Sequence, residues 1–257
     1  MALILSALKG GTLTLTLNRP ERANAFNLKM LAELLDALQE AETDSQVRCI
    51  VLTGAGKVFG AGEDLQEIGA AGGELSFRKL LTDAYHPLIL KIRQILKPVV
   101  ASVNGACAGA SLGVALACDL RLAAESARFV VGFAGVGMAP DSAVSLLLPS
   151  LIGLGRATEF AMTNIPITAA QALDWGMVNR VVPLEQLPSE TEHLTKQLAV
   201  GPLGAYGLAK QAFNRSVLHH LDDVLAYEAD LQEQAGKGAE YREGMQAFLE
   251  KRPPKYS

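Results

Sequence analysis

The run GVGMAPDSAVSLLLP, residues 135–149, carries one acid, Asp141, among apolar and small residues. A carboxylate without partners is costly to bury. Apolar surroundings raise its pKa, and a carboxyl that titrates nearer neutrality can take a proton from one carbon and return it to another. Pro140-Asp141-Ser142 also fits a helix N-cap, and on these residues alone the cap is the preferred reading. Two glycine turns offer a complementary chemistry. VFGAGEDLQEI (58–68) and VNGACAGASLGVALACD (103–119) each place small residues directly before a helical stretch. Small residues admit a ligand close to the backbone, and unpaired N–H groups at a helix start point toward it. Two such turns can direct two N–H donors at one oxygen, an oxyanion hole. Tight packing is the plain alternative, and neither turn matches GxGxxG or a P-loop.

Other side chains are weaker candidates. Glu63 is either a second polar group of a pocket or a solvated acid favoured by a helix N-terminus. Asp64 is expected to order its turn. His86, in YHPLILKI, is placed at a helix start, where a capping or hydrogen-bonded role is the common one. Ser111 and Ser142 have no His/Asp partners visible in the sequence, which speaks against a serine nucleophile.

These residues need a scaffold. The chain has 257 residues, enough for one large domain or one domain with an appendage. Hydrophobic residues make up 49% and aromatic ones 5%, so the core is expected to be Ala, Val, Leu and Ile with closely packed helices. The net charge of −4 and the lack of basic runs argue against a nucleic-acid partner. Cys49, Cys107 and Cys118 stand in apolar surroundings with no CxxC or Cys/His cluster. They read as buried thiols of a reducing compartment, with no metal. The start MALILSALKGG lacks the form of a signal peptide. Asp119, Arg121 and Glu125 interrupt the longest apolar region, so no membrane segment is expected and the chain reads as cytoplasmic.

The periodicities predict an α/β order. TLTLTLN (12–18) alternates as a strand, and 27–44 has leucines at helical spacing behind Asn27 as N-cap. A strand is predicted over 47–56, a helix over 86–96, a strand and turn over 97–106, and a helix passing into a strand over 111–124. GRATEFAM reads as helix, as does 168–176 behind Thr168 as cap. A strand over 177–183 follows, then helix throughout from Leu187 to about Phe248. Strands ending in tight turns are where such sheets bind ligands.

The ordered motifs FGAGEDL, KPVVASVNGACAGASLGVALACDLRLAAESARF, GMAPDSAVSLLLPSLIGLGRA, TAAQALDWGMVNRVV and FLEKRPP resemble the enoyl-CoA hydratase/isomerase (crotonase) family from near residue 11 to residue 254. The resemblance implies a spiral of ββα turns over 1–195. It implies a helical C-terminal region, 196–257, that covers the site and forms subunit contacts in a trimer or dimer of trimers. It implies a coenzyme A thioester substrate and no separate cofactor or metal. The implied oxyanion donors are the N–H groups of Ala61 and Ala110. Implied coenzyme A contacts are Arg22, Ala23, Ala25, Gly62, Asp64, Leu65, Phe248 and Lys251.

Hydratases of this family carry two glutamates, and here Gly113 and Phe133 stand in their places. Ordinary hydration is therefore not expected. Asp141 matches the catalytic aspartate of the family's phenylacetate-pathway isomerase group, and a proton-shuttling acid of dienoyl-CoA isomerases. With the motif, catalysis replaces capping as the preferred role. The expected pocket is lined by Glu63, His86, Phe133 and Gly113. The expected function is an acyl-CoA isomerase that shifts a double bond or opens a ring epoxide through one aspartate. Three alternatives stay open: a hydratase, an aryl-CoA dehalogenase with Asp141 as nucleophile (His86 and an aromatic at 133 favour it, although the expected Trp is absent), and a non-catalytic acyl-CoA binding protein.

Overall fold

A computed structural model of the chain describes residues 2–70 and 76–256. It opens with a hairpin, β1 (Ile4–Lys9) and β2 (Thr12–Leu17), turned by Gly10 and Gly11, both at positive φ. The sequence reading found β2 by its Thr/Leu alternation. It missed β1, whose residues are largely exposed and show no alternating pattern. Helix α1 (Leu28–Thr43) starts where expected: the Asn27 side chain accepts from the Met30 N–H at 3.0 Å, and Met30, Leu31, Leu34 and Leu38 form its buried stripe.

Three turns of a ββα spiral follow. The first is β3 (Cys49–Gly54), β4 (Val58–Gly60) and α2 (Leu65–Ala70). A long helical segment then runs as α3 (Phe77–Leu80), a π turn (Leu81–Tyr85) and α4 (His86–Gln94). The second turn is β5 (Val99–Val103), β6 (Ala106–Ala108) and α5 (Ala110–Ala117). The third is β7 (Leu120–Ala124), β8 (Arg128–Val130), a 3-10 turn (Phe133–Val136) and α6 (Val144–Ile152). Then come α7 (Leu154–Thr163), β9 (Ile167–Thr168), α8 (Ala169–Asp174) and β10 (Arg180–Val182). Thr168 caps α8 in a reciprocal box with Gln171. The stretch read as continuous helix from Leu187 is four helices: α9 (Leu187–Val200), α10 (Leu203–Val217), α11 (Leu221–Gly236) and α12 (Ala239–Glu250). Gly201-Pro202, residues 218–220 and Gly238 break it, and residue 195 lies inside α9.

The first strand of each turn enters a six-stranded sheet, β1-β2-β3-β5-β7-β10, parallel except at the hairpin. The second enters a four-stranded sheet, β4-β6-β8-β9. Both faces of the large sheet are covered, as parallel sheets require. Ile50, Leu52, Val99 and Ala101 face the main core with α1, α4 and α5. Cys49, Val51, Val100 and Leu122 face α9 through Leu187 and Leu194. This is the α/β spiral that the motifs imply. All three cysteines are buried free thiols. Among the described residues, no helix is long and apolar enough to cross a membrane.

Pairing of β4 with β6 brings the two glycine turns together. A Cβ on Gly62 would lie 3.3 Å from the Ala110 nitrogen and 3.1 Å from the Ala108 carbonyl oxygen. Gly62 also has φ of +88°, so a side chain there would be both crowded and strained.

Candidate active site

The joined turns form one wall of a cavity of about 340 Å³. Ala61, Gly62, Glu63, Leu65, Ala110, Phe133, Asp141 and Phe248 of the expected residues line it; α11 adds Gln232, and α12 adds Tyr241. The backbone donors differ from expectation at one position. Ala61 N–H donates to the Ala23 carbonyl at 3.1 Å and is already spent. Phe26 bridges in parallel to Glu63: Phe26 N–H donates to Gly62 O at 2.7 Å, and Asp64 N–H donates to Phe26 O at 2.8 Å. That pattern leaves Glu63 N–H facing the other way, unpaired among the described residues. Ala110 is the first residue of α5, so its N–H has no acceptor within the helix. The unpaired donors are thus Glu63 and Ala110, not Ala61 and Ala110.

Asp141 is 7% exposed and is not an N-cap. Its Oδ1 accepts from Ser142 Oγ at 2.7 Å and its Oδ2 from Gln232 Nε2 at 2.6 Å. Burial pushes its pKa up to about 6, against the opposing pull of those two hydrogen bonds. The cap of α6 comes from another helix. Glu228 on α11 accepts from Ala143 N–H at 2.8 Å, Ser145 N–H at 3.0 Å and Ser145 Oγ at 2.5 Å. Burial pushes Glu228 up to about 7, and the nearby Asp141 charge adds to the rise. Ser142 (φ +54°) and Ala143 (φ +62°) are both left-handed, a conformation non-glycine residues adopt at a cost. The same turn explains Gly113, which does not line the cavity. A Cβ there would sit 2.5 Å from Ser142 O and 2.7 Å from Ser142 Cβ. Its role is close packing of α5 on the Asp141 turn.

Glu63 faces Asp141's cavity and accepts a short hydrogen bond from the Tyr85 hydroxyl. Burial pushes it up to about 7, helped by the charges of Asp141 and Asp64 and opposed by the Tyr85 bond. Tyr85 itself is buried, edge-on against Phe26 at 6.2 Å between centroids. It ends the π turn, where Pro87 has no N–H to continue the α-helical ladder. His86 is the first residue of α4, at a helix start as expected, although α3 and the π turn run straight into it from the Ser76 cap. It does not line the cavity. Its Nε2 is buried with no hydrogen-bond partner among the described residues, and burial lowers its pKa.

The expected coenzyme A contacts divide. Gly62, Leu65 and Phe248 border the cavity, while Ala23 and Ala25 lie behind Ala61 in a loop braced by Asn24. Arg22 is exposed and bonds to Gln66, and Lys251 is exposed at the end of α12. Asp64 orders its turn, as expected: it is buried, pairs with Arg19 at 3.0 Å and accepts from Gln66 N–H at 3.1 Å and Glu67 N–H at 3.2 Å. Sequence reasoning missed Tyr85, Glu228 and Gln232. The last two had a signal. Leu221, Leu225, Glu228, Ala229 and Gln232 form one buried stripe of α11, and two polar residues on an apolar stripe call for buried partners.

Residues 8–257 match the family model described as enoyl-CoA hydratase/isomerase. The chain is 41% identical over 259 residues to a 1,2-epoxyphenylacetyl-CoA isomerase of Escherichia coli (strain K12), covering 100% of this chain and 99% of that one. It is 40% identical over 247 residues to a probable enoyl-CoA hydratase of Rhodobacter capsulatus, covering 96% and 95%. The crystal structure of an enoyl-CoA hydratase from Mycobacterium avium subsp. paratuberculosis K-10 superposes with a TM-score of 0.90 at 32% identity, covering 100% of this chain and 99% of that one. The spiral, the paired glycine turns and these similarities lead to one conclusion: the chain belongs to the enoyl-CoA hydratase/isomerase family.

Proposed function

We propose that the protein is an acyl-CoA isomerase that rearranges an unsaturated or ring-epoxide acyl group by proton transfer through Asp141. The thioester oxygen sits between the Glu63 and Ala110 N–H groups, where charge develops as a proton leaves the α-carbon. Asp141 takes that proton. The reaction adds no water and calls for no cofactor. The observation that carries this reading is Asp141 itself, a buried carboxyl raised to about 6, facing the cavity that the two unpaired donors border. Similarity to a 1,2-epoxyphenylacetyl-CoA isomerase supports the ring-epoxide class. Exposed Arg22 and Lys251 supply cations for the phosphates of coenzyme A.

Mass spectrometry after incubation with enoyl-, dienoyl- and ring-epoxide acyl-CoAs tests this. A product isomeric with its substrate is expected; only hydrated products, or none from any substrate, would overturn the reading. Hydration of crotonyl-CoA is expected to stay well below about 10 s⁻¹, a typical enzyme turnover. Gly113 has no room for an acid, and Phe133 offers none. Loss of enoyl absorbance measures it.

Assembly as a trimer or dimer of trimers is part of the same proposal. Leu154, Met162 and Ile165 are exposed around α7, and Leu208 and Phe213 on α10, an apolar surface that assembly would cover. Gel filtration with light scattering is expected to give three or six copies, and a stable micromolar monomer would contradict it.

A further inference from the structure

We infer that Glu63, held by the Tyr85 hydroxyl, is a second proton-transfer group of this cavity: it donates a proton to the remote carbon after Asp141 has deprotonated the α-carbon. The inference rests on the proposed isomerase reading and goes beyond its single-aspartate form. Glu63 and Asp141 line one cavity, on different walls. Glu63 follows β4, whereas Asp141 precedes α6. The backbone N–H of Glu63 is one of the two unpaired donors, so its side chain branches from a residue placed beside the bound thioester. One carboxyl oxygen, Oε2, takes the Tyr85 hydroxyl. The carboxyl also feels the Asp64 backbone N–H, which with Tyr85 favours its ionised form. Tyr85 is buried and wedged against Phe26, so the carboxyl it grips is held still.

The surroundings set which acid carries the proton. The groups facing Glu63 are Tyr85 from the π turn, Asp141 from the turn before α6, Asp64 from the start of α2 and Tyr241 from α12. Glu228 on α11 stands beside Asp141. None of these facing groups is cationic. Burial raises both, to about 7 for Glu63 and about 6 for Asp141, and the Asp141 charge adds to the rise of Glu63, so Glu63 is the acid that holds its proton more readily.

The step balances. With a β,γ-unsaturated thioester, the α C–H bond breaks, its proton goes to Asp141, and the electron pair spreads as a dienolate onto the thioester oxygen. That pair then closes the α,β double bond as the γ-carbon takes the Glu63 proton. Asp141 ends protonated and Glu63 ionised, with the Tyr85 hydroxyl favouring that ionised form. Proton exchange with solvent resets both.

The test is isomerisation of a β,γ-unsaturated enoyl-CoA in deuterium oxide. The native protein is expected to place solvent deuterium on the γ-carbon in nearly every turnover; transfer of the substrate's own α-protium to that carbon would overturn the inference. Glu63→Gln is expected to isomerise about 10²-fold more slowly, yet to bind a saturated acyl-CoA normally and to keep washing the α-proton into solvent within about twofold of the native rate. Undiminished isomerisation, or loss of washout together with turnover, would count against Glu63 as donor. Tyr85→Phe removes a bond that favours ionised Glu63, so the alkaline limb of the turnover profile is expected to move to higher pH. An unmoved or lowered limb refutes the pairing. Asp141→Asn separates the two levels: it should lose washout and isomerisation together, and if it keeps washout, the isomerase reading through Asp141 fails rather than the role of Glu63.

Discussion

Asp141→Asn is expected to lower turnover by about 10²–10⁴-fold, the range that removal of a positioned acid–base group costs, while acyl-CoA binding is preserved. The fold should accept the change. Asn can still accept from Ser142 through its oxygen. Its NH₂ would face Gln232, whose Oε1 is buried without a partner and can be turned toward it. Stability should rise, and only above a certain pH. The folded pKa of Asp141 is raised from 3.8 to about 6. Its contribution is therefore whole below the unfolded value and is lost as pH climbs through the folded one. A neutral amide escapes that loss. The variant is expected to match the native protein near pH 4 and to exceed it by about 1–3 kcal/mol at pH 8. Thermal melts across that range measure it, and a variant destabilised at pH 8 would show that the carboxylate is structural. A carboxylate acting as nucleophile would pick up heavy oxygen from labelled water through an ester. Proton transfer leaves the Asp141 peptide unlabelled after turnover.

Gly113→Ala is expected to destabilise the protein by about 1–3 kcal/mol, the cost of overpacking a rigid core, and to depress turnover with it. In an exposed helix the same change stabilises by about 1 kcal/mol, so the sign is diagnostic. The added methyl meets a backbone carbonyl at 2.5 Å, and α5 is buried along its whole length. The Ser142 turn must move, and Asp141 moves with it. Gly113→Glu, which restores the acid of the hydratase pattern, adds an unpaired carboxyl to that clash. It is expected to unfold the protein rather than create a hydratase. Urea midpoints decide the first variant, and a stabilised, fully active Gly113→Ala would refute the packing role.

What could be read from the sequence was local, or carried by motif. The Thr/Leu alternation of β2, the Asn27 cap and the Thr168 cap are decided by residues within a few positions, and all three stand. Asp141 and the glycine turns were picked out by their chemical company, and they meet in one cavity. The donor at Ala61 was misplaced by two residues because a distant bridge, Phe26 to Glu63, decides which N–H is left over. Pro87, by its missing N–H, marked the start of α4 at His86, whereas the π turn that runs into it was not read. Glu228 and Tyr85 act through partners far along the chain; the spacing of α11 marks Glu228 as buried but does not say which residues it meets.

The cap that α11 lends to α6 has a consequence for how the protein is born. Ala143 waits for a residue 85 positions later, and Asp141 for one 91 positions later. At ribosomal speeds of about 5–20 residues per second, that is roughly 4–18 s of synthesis. During that interval both sheets can assemble on the emerging chain, but the two left-handed residues of the Asp141 turn have nothing to hold them. On the proposed reading, the Asp141 turn is thus the last part of the site to be braced, once α11 has been made.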